Sequence, residues 1–193
     1  MESVALKLRF ACTLVLLTIS LMPFGNAFSQ AVLAPKAPSA QTNNALALAA
    51  TGVGVKQCLP ALTSLSALGI RDSNNNDVLL DWDRKRPSKS SVFSLIGLEY
   101  PSDSAAMSIT AVPEADGSCS VAAERISFAP IVCKRVAQQE LQGYQATQLL
   151  NRMVVYVEAR EPGSSVSLID APPGCLVIRR YVKFSAATPG VGK

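Results

Sequence analysis

Four cysteines in the body of the chain, Cys58, Cys119, Cys133 and Cys175, carry the most definite chemistry, and no histidine stands anywhere among the 193 residues. The thiols lack the close spacing of a CxxC redox pair or a zinc knuckle, the nearest two being Cys119 and Cys133. An even set so dispersed reads as two disulfides, and four cysteines allow three pairings. The preferred pairing is Cys119 with Cys133, closing a short loop between a strand and a helix, and Cys58 with Cys175, tying the front of the domain to its last hairpin. Each bridge contributes about 2–4 kcal/mol, mainly by restricting the unfolded chain.

Without histidine there is no Ser–His–Asp or Cys–His arrangement and no imidazole acid–base group. No zinc site using histidine is possible either. Carboxylate chemistry of the glycosidase kind needs two groups at a fixed separation, one with a raised pKa. Asp81, Asp83, Glu99, Glu124, Glu158 and Asp170 fall in predicted strands or at their ends, and nothing in their spacing singles out a pair. Ser164 and Ser165 lie in a turn without a visible base.

The run from Asp72 to Asp83 places oxygens at alternate positions, at Asp72, Asn74 and Asn76. A calcium loop would use such a ladder, but its sixth position here is Asp77 instead of glycine, and Asp83 is shorter than the usual bidentate glutamate. The run reads as a polar loop. Gly52-Val53-Gly54 does not join a strand to a helix in a phosphate-binding pattern. Neither metal nor cofactor is expected.

Two basic features are candidates for binding. Arg84, Lys85 and Arg86, with Lys89 close behind, form a dense run; Arg179, Arg180 and Lys183 lie near the carboxyl end. Arg179, Tyr181 and Lys183 share one face of the last predicted strand, and Tyr156 stands on a neighbouring strand. Arginine and tyrosine are favoured at interface centres because they combine contact area with hydrogen bonding. These residues form the expected partner-binding face. The net charge of +4 at pH 7 is too small to imply nucleic acid, which calls for a denser basic stripe. Trp82, the only tryptophan, is expected to plug the core.

The elements that must position these residues follow from the hydrophobic pattern. Lys7 and Arg9 precede an apolar run from Phe10 to Met22, and Gly25-Asn26-Ala27 supplies small residues for cleavage. Residues 1–27 therefore read as an export signal, too short to span a bilayer and delivering the cysteines to an oxidising compartment. Cys12 lies ahead of most of that apolar run, not where a lipid-anchored precursor carries its cysteine. Residues 28–55 read as a flexible leader containing Ala, Pro and Ser, within which Asn44 to Ala50 could form a short helix. The folded domain is expected over 56–185, with a frayed tail over 186–193 and no transmembrane segment in the mature chain.

Within the domain, Leu62, Leu65 and Leu68 mark a short helix that Pro60 opens and Gly69 stops. A brief strand is predicted over Val78 to Trp82, then strands over Val92 to Tyr100, Ala106 to Val112 and Cys119 to Phe128. Cys133, Ala137, Leu141 and Tyr144 recur at helical spacing, predicting a helix from Cys133 to Gln142 that ends at Gly143 or continues to about Leu150. Strands from Met153, from Ser165 and from Cys175 complete an antiparallel meander, with Pro162-Gly163 suited to a type II turn. In the last strand Leu176, Ile178, Val182 and Phe184 are expected to face the core, leaving the Arg179–Tyr181 side wet.

The expected fold class is α+β: a mostly antiparallel sheet of five or six strands packed against one or two helices and stapled by two disulfides. The function expected is non-enzymatic binding of a protein in the cell envelope or outside the cell, as an inhibitor, an immunity-like protector or an accessory factor. A carboxylate-based hydrolase acting on envelope polysaccharide is the alternative, and a structural envelope component a third.

Overall fold

The computed structural model describes residues 44–185, and the expected signal, the leader up to residue 43 and the tail from residue 186 lie outside them. Two helices come first, α1 (Ala45–Gly52) and α2 (Leu59–Gly69). Four strands follow: β1 (Asn75–Trp82), β2 (Val92–Glu99), β3 (Ser104–Pro113) and β4 (Cys119–Ala129). Then come α3 (Cys133–Glu140) and β5 (Gln145–Leu150), β6 (Met153–Val157), β7 (Ser164–Ala171) and β8 (Gly174–Lys183). All eight strands form one sheet in the order β1-β2-β3-β4-β8-β7-β6-β5, and every neighbouring pair is antiparallel.

The α+β class and the antiparallel sheet stand as expected; the element count does not. Among the described residues there are eight strands instead of five or six and three helices instead of one or two. Residues 145–150, open to a continued helix on spacing alone, form β5 because Gly143 takes a positive φ and stops α3's continuation. The stretch 44–55, read as leader, belongs to the core: Leu46 and Ala50 of α1 are fully buried and Val55 nearly so. The Asn44 side chain accepts a hydrogen bond from the Ala47 N–H at 2.9 Å and caps α1. Asn76 of β1 accepts another from the Ala45 N–H at 3.1 Å, fixing the helix to the sheet.

Pleating places alternate residues on opposite faces, and the cross-strand register carries each face from strand to strand. One face runs through Val78, Ile96, Met107, Arg125, Arg179, Val166 and Tyr156. All three helices lie against this face. α1 and α2 pack on β1–β4 to bury Leu62, Ile96, Leu98 and Ile109. α3 packs on β7 and β8 to bury Val136, Leu168, Cys175 and Val177. Trp82 packs against the first of these clusters but is only partly buried, at its edge instead of plugging the core.

The expected inside and outside of β8 are therefore exchanged. Cys175 and Val177 face the helices together with Arg179, Tyr181 and Lys183, while Leu176, Ile178 and Val182 occupy the face without helices. Phe184 lies beyond the strand and is exposed. Counting apolar residues selects the wrong side here, because the side that carries fewer of them is where the bridge to Cys175 anchors α3.

The disulfide pairing also differs: Cys58 bridges Cys119 and Cys133 bridges Cys175. β4 separates Cys119 from Cys133 by its whole length, roughly 30 Å at about 3.3 Å per residue, far beyond the reach of a disulfide. Each observed bridge ties the start of a helix to the strand beneath it. Gly174 lets β8 approach β4 beside the second bridge, since a Cβ there would sit 2.2 Å from the Ala129 carbonyl oxygen. Gly163 has a φ of 95° and the Ser164 N–H donates to the Glu161 carbonyl at 3.0 Å, so Pro162 and Gly163 form the turn their types suggested.

Candidate functional surfaces

The sequence-selected basic residues divide into two unrelated places. Arg84, Lys85 and Arg86 sit exposed in the β1–β2 connection, where much of their charge is locally engaged. Arg86 pairs with Asp83 at 3.0 Å, and the Arg84 guanidinium lies 5.7 Å from the Trp82 ring centre. The Lys85 backbone N–H, more than any other group, holds the Asp83 carboxyl below its ordinary range, and Arg86 adds to it. Asp83 also stands at the far end of β1 from Asp72, so the alternate oxygens of that run do not converge.

Arg179, Tyr181, Lys183 and Tyr156 share the helix-bearing side. Arg179 forms an ion pair with Glu140 at the end of α3. Tyr181 packs against the α1–α2 cluster and Tyr156 against the α3 cluster, so the two rings belong to different cores. Arg125 is the cross-strand neighbour of Arg179, and its guanidinium lies 5.2 Å from the Tyr100 ring centre. Beside them the Tyr144 hydroxyl donates to Glu158 at 2.9 Å, and that hydrogen bond is the main reason the phenol is pushed above its ordinary pKa.

Beyond α3, on the same side, lies a cleft of about 460 Å³. Cys133, Ala137, Val154 and Leu168 give it apolar walls, with Tyr156 among them; Lys134, Gln138, Asn151, Arg152 and Asp170 bring polar groups. Of these residues the sequence marks Cys133 as a bridge cysteine, Asp170 as one of several undistinguished carboxylates and Tyr156 as a binding candidate. Lys134 carries no signal in the sequence beyond its place on α3, and Arg152 lies in the tight turn between β5 and β6, where its relation to α3 depends on strand order.

The opposite face carries no helix among the described residues. Phe128, Leu176, Ile169, Met153 and Leu150 follow one another across β4, β8, β7, β6 and β5, one unbroken apolar row. Ile126, Ile178 and Val155 form a second row, interrupted by Ser167. At the other end of the sheet Leu79, Phe93 and Leu95 are exposed, Phe93 by 52%. Asp77, Asp81 and Glu99 share that end of the same face, whereas Glu124 and Arg180 pair at 3.4 Å nearer its centre. In β8 this face carries Leu176, Ile178 and Val182, the residues expected in the core.

The carboxylates are dispersed. Glu99 accepts from Asn75, Glu114 from Ser120, Glu124 pairs with Arg180, Glu140 with Arg179 and Glu158 with Tyr144. The two carboxyls with resolved pKa displacements, Asp83 and Asp116, are both lowered. Among the described residues no group of three His, Cys, Asp or Glu side chains is placed to hold a metal ion, and no helix is long and apolar enough to cross a membrane. The two disulfides fit an extracytoplasmic location. Comparison with protein-family models, with curated proteins and with solved structures gives no match.

Proposed function

We propose that the chain is an extracytoplasmic, non-enzymatic protein-binding domain, and that it presents the helix-free face of its sheet to a partner protein. The observation that carries this reading is the apolar row Phe128–Leu176–Ile169–Met153–Leu150, which crosses five strands with no helix over it among the described residues. Phe128 and Leu150 at its ends are exposed and Leu176, Ile169 and Met153 between them half-buried, and a contiguous apolar patch accessible to solvent on this scale marks an interaction site. A stable interface takes about 800 Å² from each partner, well within the area an eight-stranded sheet offers on one face.

The chemistry of the face describes its partner. Opposite the apolar rows the partner needs apolar side chains, and opposite Asp77, Asp81 and Glu99 it needs basic ones. Complementary charge at the edge would set orientation and association rate, while the apolar centre supplies affinity. Arg84, Lys85 and Arg86 lie in the connection that follows β1 and can add rim contacts to acidic groups. An inhibitor or accessory role in the cell envelope is compatible with this design.

The test is affinity capture from native envelope and secreted fractions with oxidised protein, comparing wild type with a Phe93→Asp/Phe128→Asp variant. A protein retained stoichiometrically by the wild type and at least tenfold less by the folded variant supports the proposal. Equal retention by both, or no complex with either, rejects it.

A further inference from the structure

The cleft beside α3 has a composition different from the open face. Its volume, about 460 Å³, lies in the range of small-molecule sites, which combine apolar walls with a few placed polar groups. The walls come from three elements: Ala137 of α3, Val154 and Tyr156 of β6, and Leu168 of β7. In the sheet Val154 is the cross-strand partner of Leu168, and Tyr156 that of Val166, so the apolar floor is set by strand register.

The rim holds two cations and one acid. Lys134 stands on the first turn of α3 and Arg152 in the β5–β6 turn; neither has a carboxylate within 4.0 Å among the described residues. Among the described residues Asp170 is the only acidic one lining it. The Asp170 backbone N–H donates to the Arg152 carbonyl at 3.0 Å, which ties the turn to β7 and keeps Arg152 at the rim. The other side of the cleft is fixed by the Cys133–Cys175 bridge at the start of α3. A net positive rim over an apolar floor is complementary to a small monoanion with an apolar body.

We infer that this cleft is a binding site for a small carboxylate bearing a short apolar chain, its charge met by Lys134 and Arg152 and its body laid on Val154, Tyr156 and Leu168. This site is separate from the proposed protein-binding face: the two lie on opposite sides of the sheet, so both can be occupied together.

The experiment is an NMR titration of the oxidised protein with three probes: hexanoate, hexanol and acetate. Hexanoate is expected to shift the Val154, Tyr156 and Leu168 signals saturably. Hexanol, which keeps the body without the charge, and acetate, which keeps the charge without the body, are expected to bind at least tenfold more weakly. A Lys134→Gln/Arg152→Gln variant should lose hexanoate affinity about tenfold with its thermal midpoint unchanged, since both side chains are exposed. Because that variant removes exposed charge only, an Ala137→Phe variant provides a second readout by filling the cleft and abolishing binding. Linear, non-saturable shifts overturn the inference, as does hexanol binding as well as hexanoate, or a double-glutamine variant that binds unchanged. None of these results depends on capture of a protein by the opposite face.

Discussion

Over β1–β4 the sheet is covered by two helices, and Leu46, Leu62, Ile96, Leu98 and Ile109 are all within 1% of complete burial. Over β8–β5 it is covered by one eight-residue helix that reaches β7 and β8, and neither β5 nor β6 contains a buried residue. Both halves use the same staple, a disulfide from the start of the covering helix to the strand below it. The shared staple leads to different ends. In the front half it locks a filled core; in the back half it holds a short helix beside a space left unfilled. Incomplete cover is what leaves room for a ligand, and it costs the back half buried apolar area.

The largest expected effects come from removing the bridges one at a time. Their sequence separations are 61 and 42 residues, for which loop closure gives about 4 kcal/mol each and a difference of roughly 0.3 kcal/mol. Chemical denaturation of Cys58→Ser/Cys119→Ser and Cys133→Ser/Cys175→Ser should therefore show similar losses. Hexanoate binding should separate them: the front variant, while folded, keeps it, and the back variant loses it. A back variant that binds normally would mean that the staple does not position α3 over the cleft.

Side-chain truncation comes next. Leu62→Ala removes a fully buried side chain from the inner face of α2 and should cost about 2–5 kcal/mol. Val136→Ala, at the equivalent place on the inner face of α3, removes less volume from a thinner core and should cost about 1–3 kcal/mol. Denaturant midpoints measure both. Equal losses would contradict the view that the front half holds most of the packing energy.

How much of this was legible in the sequence follows from the range of each interaction. β2 reads correctly because Val92, Ser94, Ile96 and Leu98 alternate strictly with exposed positions, a local signal. The helix stops and the Pro162-Gly163 turn are local as well. The disulfide pairing is not, since it depends on β8 lying next to β4 while β5 sits at the far edge. The faces of β8 failed for a related reason: a sheet with helices on one side and apolar rows on the other carries hydrophobic residues on both, so alternation gives two faces without saying which is covered. Of the expected partner-binding residues, Tyr156 reaches the cleft, while Arg179 pairs with Glu140 at the end of α3 and Tyr181 packs against the α1–α2 cluster. Lys134 and Arg152 come together only through tertiary structure.

The smallest expected effect separates the halves by pH. In the β3–β4 turn the Ser118 hydroxyl, then the Ser118 N–H, holds the Asp116 carboxyl below its ordinary range. Its lowered folded-state pKa means the contact contributes fully above the ordinary carboxyl range and is lost as pH falls through the lowered value. In the back half the Tyr144 phenol is raised, first by its hydrogen bond to Glu158 and then by burial and the Glu158 charge. A raised folded-state pKa has the opposite sign: the contact is intact below the ordinary tyrosine range and is lost as pH climbs through the raised value. Acid should thus loosen the front turn, seen at the Gly117 and Ser118 amides, while alkali should loosen the junction of Tyr144 with Glu158. Tyr144→Phe, which cannot ionise or donate, should abolish the alkaline change and leave the acid one intact. If the ring signals of Tyr144 instead titrate at the ordinary tyrosine value, the hydrogen bond does not hold the phenol in its neutral form, and this contact cannot distinguish the back half from the front.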